Sequence, residues 1–415
     1  MLATTLVKEL LDLPGIAVSG VSLEPGVLRV EVRLTARKLW CPLCDYSTWS
    51  RHDVRPVDST WRHLDFGASR VVLHARLRRL RCPDHGVLTE WAPFARYRAR
   101  FTADFEDVAA FLATRTDKSA IARFLRIDWD TVGRIIERVV ATELDPDRLE
   151  DLVTIGVDEI SWRKYHKYLT LVSNHATGKI VWGTTTGRDQ QSLDEFFHEL
   201  GPEKTGRIQA ASMDMGRSYL KSVKANAPRA VICIDPFHAV KHVGKAFDLV
   251  RRIEWQRLRT IDPERAKTFK GSRWILLRDP DNLTDEQAAT LRRFRRAGGT
   301  LWRAYQLKEA FRAIFHGDLE PGQALDLIDT WCQKAKDSAM PAFAKAANAI
   351  RTHRDGIAQA LERRINNGRH EGINSTVRLI IRRARGFHTA QAALALVILT
   401  CGPITIQLPH EKRAR

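Results

Sequence analysis

Three apolar runs in the middle of the chain each finish on an aspartate, and this constrains the fold more than any other feature. Leu152 to Val157 ends in Asp158-Glu159, Ile208 to Met213 ends in Asp214, and Ala230 to Ile234 ends in Asp235. Runs of this length and composition read as buried strands. Tyr168 to Val172 and Ile180 to Trp182 read as the next two strands of a meander after the first run. Ser192 to Leu200 reads as a helix, and Asp235-Pro236-Phe237-His238 opens another. Mixed strand and helix signals from 151 to 240 indicate an α/β sheet. Acids at the ends of neighbouring strands can converge, and such a set of oxygens suits a hard divalent cation such as magnesium. Two metals on one phosphodiester would activate water or a 3′-hydroxyl and stabilise the leaving oxygen. Taken singly, an acid of this kind is more often a cap or a solvated group.

The first hundred residues alternate like strands, notably Val27 to Leu34 and Val71 to Leu77. Cys41-Pro42-Leu43-Cys44 follows the first run, and Cys82-Pro83-Asp84-His85 follows the second. Two ligands spaced by two residues can face one metal from a single tight turn. Paired, these knuckles give a structural zinc site of Cys41, Cys44, Cys82 and His85, with no position left open for chemistry. His52, His63 and His74 compete for the fourth place. Cys233, Cys332 and Cys401 stand singly in apolar surroundings and read as core thiols. No disulfide framework is expected, which points to a reducing compartment.

From Phe105 to Val140 the period becomes helical. Lys118 to Leu125 reads as a short amphipathic helix, Arg126-Ile127 turns the chain, and Asp128 caps a second helix from Trp129 to Val140. That pair has the form of a helix-turn-helix, with Trp129, Asp130, Thr131 and Arg134 placed to face DNA bases. From about Lys241 to Arg364 the pattern is almost wholly helical, and a basic turn at Arg385-Gly386-Phe387 separates the last two helices.

Charge agrees with a polyanionic partner. Among 415 residues, Lys and Arg number 67 against 49 Asp and Glu, a net charge of +18, and nucleic acid is the usual partner of such a field. Arginine dominates the clusters at 76–81, 292–296 and 382–385, and its fork suits phosphate oxygens. Met1 to Leu13 is short and carries Lys8, Glu9 and Asp12, so no secretory segment is expected there. No run of about 18 apolar residues exists to span a membrane. Ala390 to Thr400 is apolar but short and reads as a buried helix.

Taken in order, these parts resemble the DDE transposases of the insertion-sequence L-three class. The likeness runs from the knuckles at Cys41 to the basic turn near Phe387. It rests on Gly156-Val157-Asp158-Glu159, Ser212-Met213-Asp214-Met215, Asp235-Pro236-Phe237-His238 and Asn367 to Ser375, together with the zinc and helix-turn-helix motifs. The family often carries a cysteine where this chain has His85.

The resemblance implies an α/β fold, with an RNase H-like core interrupted by a large helical insertion and preceded by a zinc-binding β module and a helix-turn-helix. The expected divisions are 1–100 for the zinc module, 101–148 for the helix-turn-helix, 149–245 for the first part of the core, 246–362 for the insertion and 363–415 for the last helices. Asp158, Asp214 and Glu371 become the catalytic acids and the ligands of two Mg2+ or Mn2+ ions, and Asp235 and His238 become auxiliary residues. Only the resemblance selects Glu371, which by itself is an ordinary helical acid. The implied activity is binding of terminal inverted repeats, metal-dependent cleavage and strand transfer into target duplex. Arg382, Arg383 and Arg385 are expected to grip phosphates. The need to pair two ends implies at least a homodimer on DNA, in the bacterial cytoplasm at the nucleoid. Two rival readings remain: a catalytically dead DNA-binding regulator, and an RNase H-like nuclease without strand transfer.

Overall fold

The computed structural model describes residues 2–163, 167–316, 319–365, 368–384 and 386–413, with the backbone alone at 265, 268, 368–371 and 413. The chain divides into two units, Met1–Arg148 with Val377–Arg415, and Leu149–Thr376.

The first unit opens with α1 (Ala3–Leu11) and β1 (Ile16–Glu24), which turns into β2 (Val27–Leu34). The short strands β3 (Leu39–Trp40), β4 (Ser47–Thr48) and β5 (Asp53–Val54) come before β6 (Ser59–Phe66) and β7 (Ser69–Ala75). Next come β8 (Arg78–Cys82) and β9 (Gly86–Thr89). The main sheet has the order β1-β2-β7-β6. Within it β2 and β7 run parallel, Val27 opposite Arg70 and Glu31 opposite His74. Val30, Leu73 and Trp61 bury its inner face, and Trp61 meets Phe94 edge-on at 5.0 Å.

Three helices follow, α2 (Ala103–Ala113), α3 (Lys118–Leu125) and α4 (Trp129–Glu143). Thr102 and Asp117 accept first-turn backbone N–H groups of α2 and α3, the usual relief for unpaired helix donors. Ile121, Val132, Ile135, Ile136 and Val139 pack the helices together. Beneath them lies a buried ion cluster: Arg96 meets Glu106 at 3.5 Å and Asp107 and Glu143 at 2.6 Å each, and Arg138 meets Glu106 at 2.8 Å.

In the second unit the meander is β10 (Thr154–Arg163), β11 (Lys167–Asn174) and β12 (Lys179–Thr184). Then come α5 (Gln190–Thr205), β13 (Ala210–Met213), α6 (Arg217–Asn226) and β14 (Val231–Ile234). The strand order is β12-β11-β10-β13-β14; β11 is antiparallel to both neighbours, and β10, β13 and β14 are parallel. The helices are α7 (Pro236–Ile261), α8 (Pro263–Gly271), α9 (Arg273–Leu277), α10 (Asp285–Ala297), α11 (Gly299–Ala313), α12 (Pro321–Asp337), α13 (Pro341–Thr352), α14 (Arg354–Glu362) and α15 (Gly368–Arg383). Phe196, Phe247, Phe311 and Phe343 are fully buried in one core shared by sheet and helices. Helix α14 lies against β14 at Gly356, where a Cβ would fall 2.5 Å from Ile234 Cγ1.

Two helices close the first unit, α16 (Ala390–Cys401), packed on α4, and α17 (Pro409–Arg413). The stretch read as one segment, 363–415, is therefore shared between units, dividing after Thr376. Among the described residues no helix is long and apolar enough to cross a membrane.

Candidate active site and DNA-binding elements

Strand register gathers the aspartates. The last parallel pair of β10 and β13 is Gly156 with Ser212, and β13 pairs Met213 with Ile234 of β14. Counting on, Asp158, Asp214 and Asp235 fall at one level on three adjacent strands, about 4.8 Å apart laterally. The expectation that β10 ends at Asp158 is corrected: β10 runs on to Arg163. It can do so because β11 stays paired with it to the end, with Asp158 opposite Leu171 and Arg163 opposite Lys167. The acid is reachable because the pairing of β13 with β10 stops two residues short of its level.

Asp158 accepts twice, Oδ1 from the backbone N–H of Glu159 at 2.7 Å and Oδ2 from Asn374 Nδ2 at 2.6 Å. Burial pushes its carboxyl above the usual range, those two bonds and the charge of His238 pull it down, and the charge of Asp214 pushes it up again. Burial, then Asp214 and Asp158, push Glu159 up to about 7 against the guanidinium of Arg188, which lies 3.6 Å away. Asp214 Oδ1 accepts the backbone N–H of Gly216 at 2.7 Å, and a Cβ at Gly216 would stand 2.7 Å from that same oxygen. Glycine is thus needed for the turn that presents the acid.

Asp235 is used differently from Asp158 and Asp214. It is buried and caps α7, its Oδ1 accepting Phe237 N–H at 3.0 Å. His238 Nε2 lies 3.9 Å from its Oδ2. The side chain of Glu371 lies outside the described residues; its backbone belongs to α15.

The knuckles sit in hairpin turns. β3 pairs with β4 around Cys41 and Cys44, and β8 pairs with β9 around Cys82 and His85, with Gly86 at φ +71. The parallel pairing of β2 and β7 explains why they meet, since both chains leave the sheet at the same end. The four ligand atoms lie within 4.8 Å of one another. Cys44 and Cys82 sulfurs are 3.7 Å apart, and His85 Nδ1 is 3.5 Å from Cys82 Sγ and 3.8 Å from Cys41 Sγ. Tetrahedral zinc, with bonds of about 2.0–2.3 Å, needs ligand atoms roughly 3.4–3.8 Å apart, so the residues fit the ion. His85 completes the set. Of its competitors, His52 turns to Asp53 at 3.2 Å and His63 to Thr102 at 2.8 Å.

At the start of α4, Asp130 and Arg134 are exposed and Thr131 is half-buried, accepting from Arg134 Nη2 at 3.1 Å. Trp129 is held by its own fold, with the Lys118 ammonium 4.5 Å over its ring and His388 edge-on at 5.0 Å. Arg382 is exposed, and Arg383 donates to the Thr114 carbonyl at 3.1 Å within the first unit. Arg385 lies outside the described residues.

Three family models match in chain order: a zinc finger of transposases IS204, IS1001, IS1096 and IS1165 over residues 29–85, the helix-turn-helix domain of transposase family ISL3 over 92–140, and the ISL3 transposase domain over 155–396. The chain belongs to the ISL3 family of insertion-sequence transposases. It is 38% identical over 362 residues to the transposase for IS1557 of Mycobacterium tuberculosis, covering 82% of this chain and 81% of that one. It is 31% identical to the transposase for IS1001 of Bordetella parapertussis over 88% and 89% of the two chains. Among solved structures it is similar to the Drosophila P element transposase strand transfer complex, at 13% identity and a TM-score of 0.38 over 73% of this chain and 92% of that chain.

As a transposase of this family, the chain combines a zinc ribbon, a helix-turn-helix and a DDE transposase domain in a mixed α/β fold, and the Cys41, Cys44, Cys82 and His85 cluster supports a structural zinc. The reading from sequence missed Asn374, although it lies in the quoted Asn367 to Ser375 motif. The signal was its spacing: three residues after Glu371, on the same helical face. It also passed over Glu159, whose neighbour Asp158 drew the attention.

Proposed function

We propose that this transposase binds the terminal inverted repeats of its element, cleaves the DNA at their ends and joins the freed 3′ ends to target duplex. The observation that carries the proposal is the shared level of Asp158, within β10, and Asp214, just past the end of the parallel β13, with the charge of Asp214 acting on Asp158. The strand order, with one antiparallel meander and three parallel strands, supports an RNase H-like reading of the sheet.

Asp158, Asp214 and Glu371 would hold two Mg2+ or Mn2+ ions, which when bound supply an activated water or 3′-hydroxyl and stabilise the leaving oxygen. The residues fit such ions. The donors are hard oxygens, and burial, with a further push from the neighbouring acids, raises Asp158 and Glu159, a penalty on their charged forms that a cation would offset. Glu371 precedes Asn374 by three residues on α15, the spacing of neighbours on one helix face, and Asn374 touches Asp158. Asn374 fixes one oxygen of Asp158 and leaves the other for work beyond its own backbone. His238 places a ring beside this level, where its charge acts on Asp158; with Asp235 it would support the site or position the flanking DNA. The zinc ribbon and helix-turn-helix would read the repeat, with Thr131 and Arg134 at base edges and Trp129 bracing α4. Arg382, Arg383 and Arg385 would add phosphate contacts, which position without specifying. Pairing two ends requires at least a dimer in the DNA complex.

The test is joining. A pre-cut repeat end offered with a supercoiled plasmid should give covalent end–plasmid products with wild-type protein and none with Asp158→Ala. Plasmid nicking without joined product would favour the nuclease reading instead.

A further inference from the structure

We infer that α10 is a second, sequence-independent duplex-binding surface, and that its occupant is target DNA. The inference rests on the reading of this chain as a DNA-joining enzyme, and it concerns a helix outside the three acids, the zinc ribbon and the helix-turn-helix.

Helix α10 (Asp285–Ala297) has no buried residue. It is held by Leu291 and Phe294, both half-buried against the core, with Phe294 edge-on to the buried Phe269 at 5.7 Å. At 3.6 residues per turn those two side chains lie within about 60° of each other. Arg292, Arg293, Arg295 and Arg296 fan over about 160° of the remaining surface, from beside Leu291 round to the far side, and all four are exposed. Among the described residues none of the four side chains takes part in an ion pair or side-chain hydrogen bond. The helix's acids, Asp285 and Glu286, are in its first turn, about 10 Å up the axis from Arg292.

This arrangement is locally unfavourable. Arg292 repels Arg295 and Arg296, and Arg293 repels Arg296, since like charges three and four apart on a helix destabilise it. The capping box of Thr284 and Gln287 holds the far end of the helix against that strain. A row of phosphates would remove the repulsion, and arginine forks suit phosphate oxygens in a way that needs no base contact. Arginine can fork onto a guanine edge as well as a phosphate, but four arginines spread over a wide arc, with no amide or hydroxyl among them, match a row of phosphates better than a set of base edges. A surface that recognises charge and not sequence fits a partner of no fixed sequence, which for a transposase is the target duplex.

The experiment is anisotropy of a labelled random-sequence duplex against full-length protein over a range of salt. The wild type is compared with the four-fold Arg→Ala variant at 292, 293, 295 and 296, and with the matching four-fold Arg→Lys variant. Each phosphate released lowers the slope of log affinity on log salt by about 0.9. The Ala variant should therefore lose about 3.6 from the slope and at least tenfold in affinity, with its circular dichroism melt no lower than the wild type's. It should keep its preference for a terminal-repeat duplex over random sequence. The Lys variant should keep most of the slope. A wild-type slope in the Ala variant, or equal loss in the Lys variant, overturns the inference while leaving the proposed function standing. Absence of duplex binding by the wild type overturns both.

Discussion

Replacing Asn374 with alanine should weaken divalent-metal binding without unfolding the protein. The bond from Asn374 Nδ2 to Asp158 Oδ2 is short, at 2.6 Å, and its acceptor is ionised in the metal-competent state. Hydrogen bonds to charged groups contribute about 1.5–3 kcal/mol. Asp158 is already raised by burial, and this bond is the first of the influences pulling it down. Without it the carboxyl rises further and also loses its orientation. Loss of such an orienting partner costs about 10–100-fold in metal affinity. Mn2+ binding, followed by the loss of the free-ion electron paramagnetic resonance signal, should show that decrease, with its pH dependence displaced to higher pH. Asp158→Asn should lose the binding more completely. An Asn374→Ala protein that binds Mn2+ with wild-type affinity and the same pH profile would refute the reasoning.

Three further outcomes follow from other parts of the molecule. Cys82→Ser should release zinc to a chromogenic chelator and abolish repeat binding, because the ribbon's small core is built on Leu39, Leu80 and the ligands themselves; retained zinc and binding would contradict the assignment. Arg96→Ala removes one of the two cationic partners of each of the buried Glu106 and Asp107, leaving Arg138 and Lys412, and should destabilise the first unit by about 1–3 kcal/mol, read by urea denaturation. The third concerns pH. Asp158 is raised and Glu159 is raised to about 7, so both are easier to ionise in the unfolded chain. Their contribution to stability is therefore full below the ordinary carboxylate range and is lost as pH rises through about 7. Metal-free melting temperatures should fall over that interval, Mg2+ should restore them, and Glu159→Gln should flatten the decline.

Local pattern made much of this legible. The apolar runs ending in acids became β10, β13 and β14, and the amphipathic pair became α3 and α4, because each has a period that its own residues fix, although the Asp128 side chain expected to cap α4 makes no capping hydrogen bond. The knuckles were legible as pairs, but the choice of His85 over His52, His63 and His74 needed the parallel pairing of β2 and β7, a contact between residues some 40 positions apart. Asp158 stands inside its strand for a similar reason: where β10 stops depends on its neighbour β11. The bond from Asn374 to Asp158 joins residues 216 positions apart, and no local period carries it. Trp129 read as outward-facing from the helix period alone, but Lys118 and His388 cover it.

The most direct test is cleavage of a labelled duplex carrying the element's own terminal repeat, in Mg2+, by wild-type and Asp214→Ala proteins side by side. The account predicts metal-dependent cutting at the repeat boundary by the wild type and none by the variant, with repeat binding equal in both. Binding without cutting by the wild type, or cutting that survives in the variant, would contradict it.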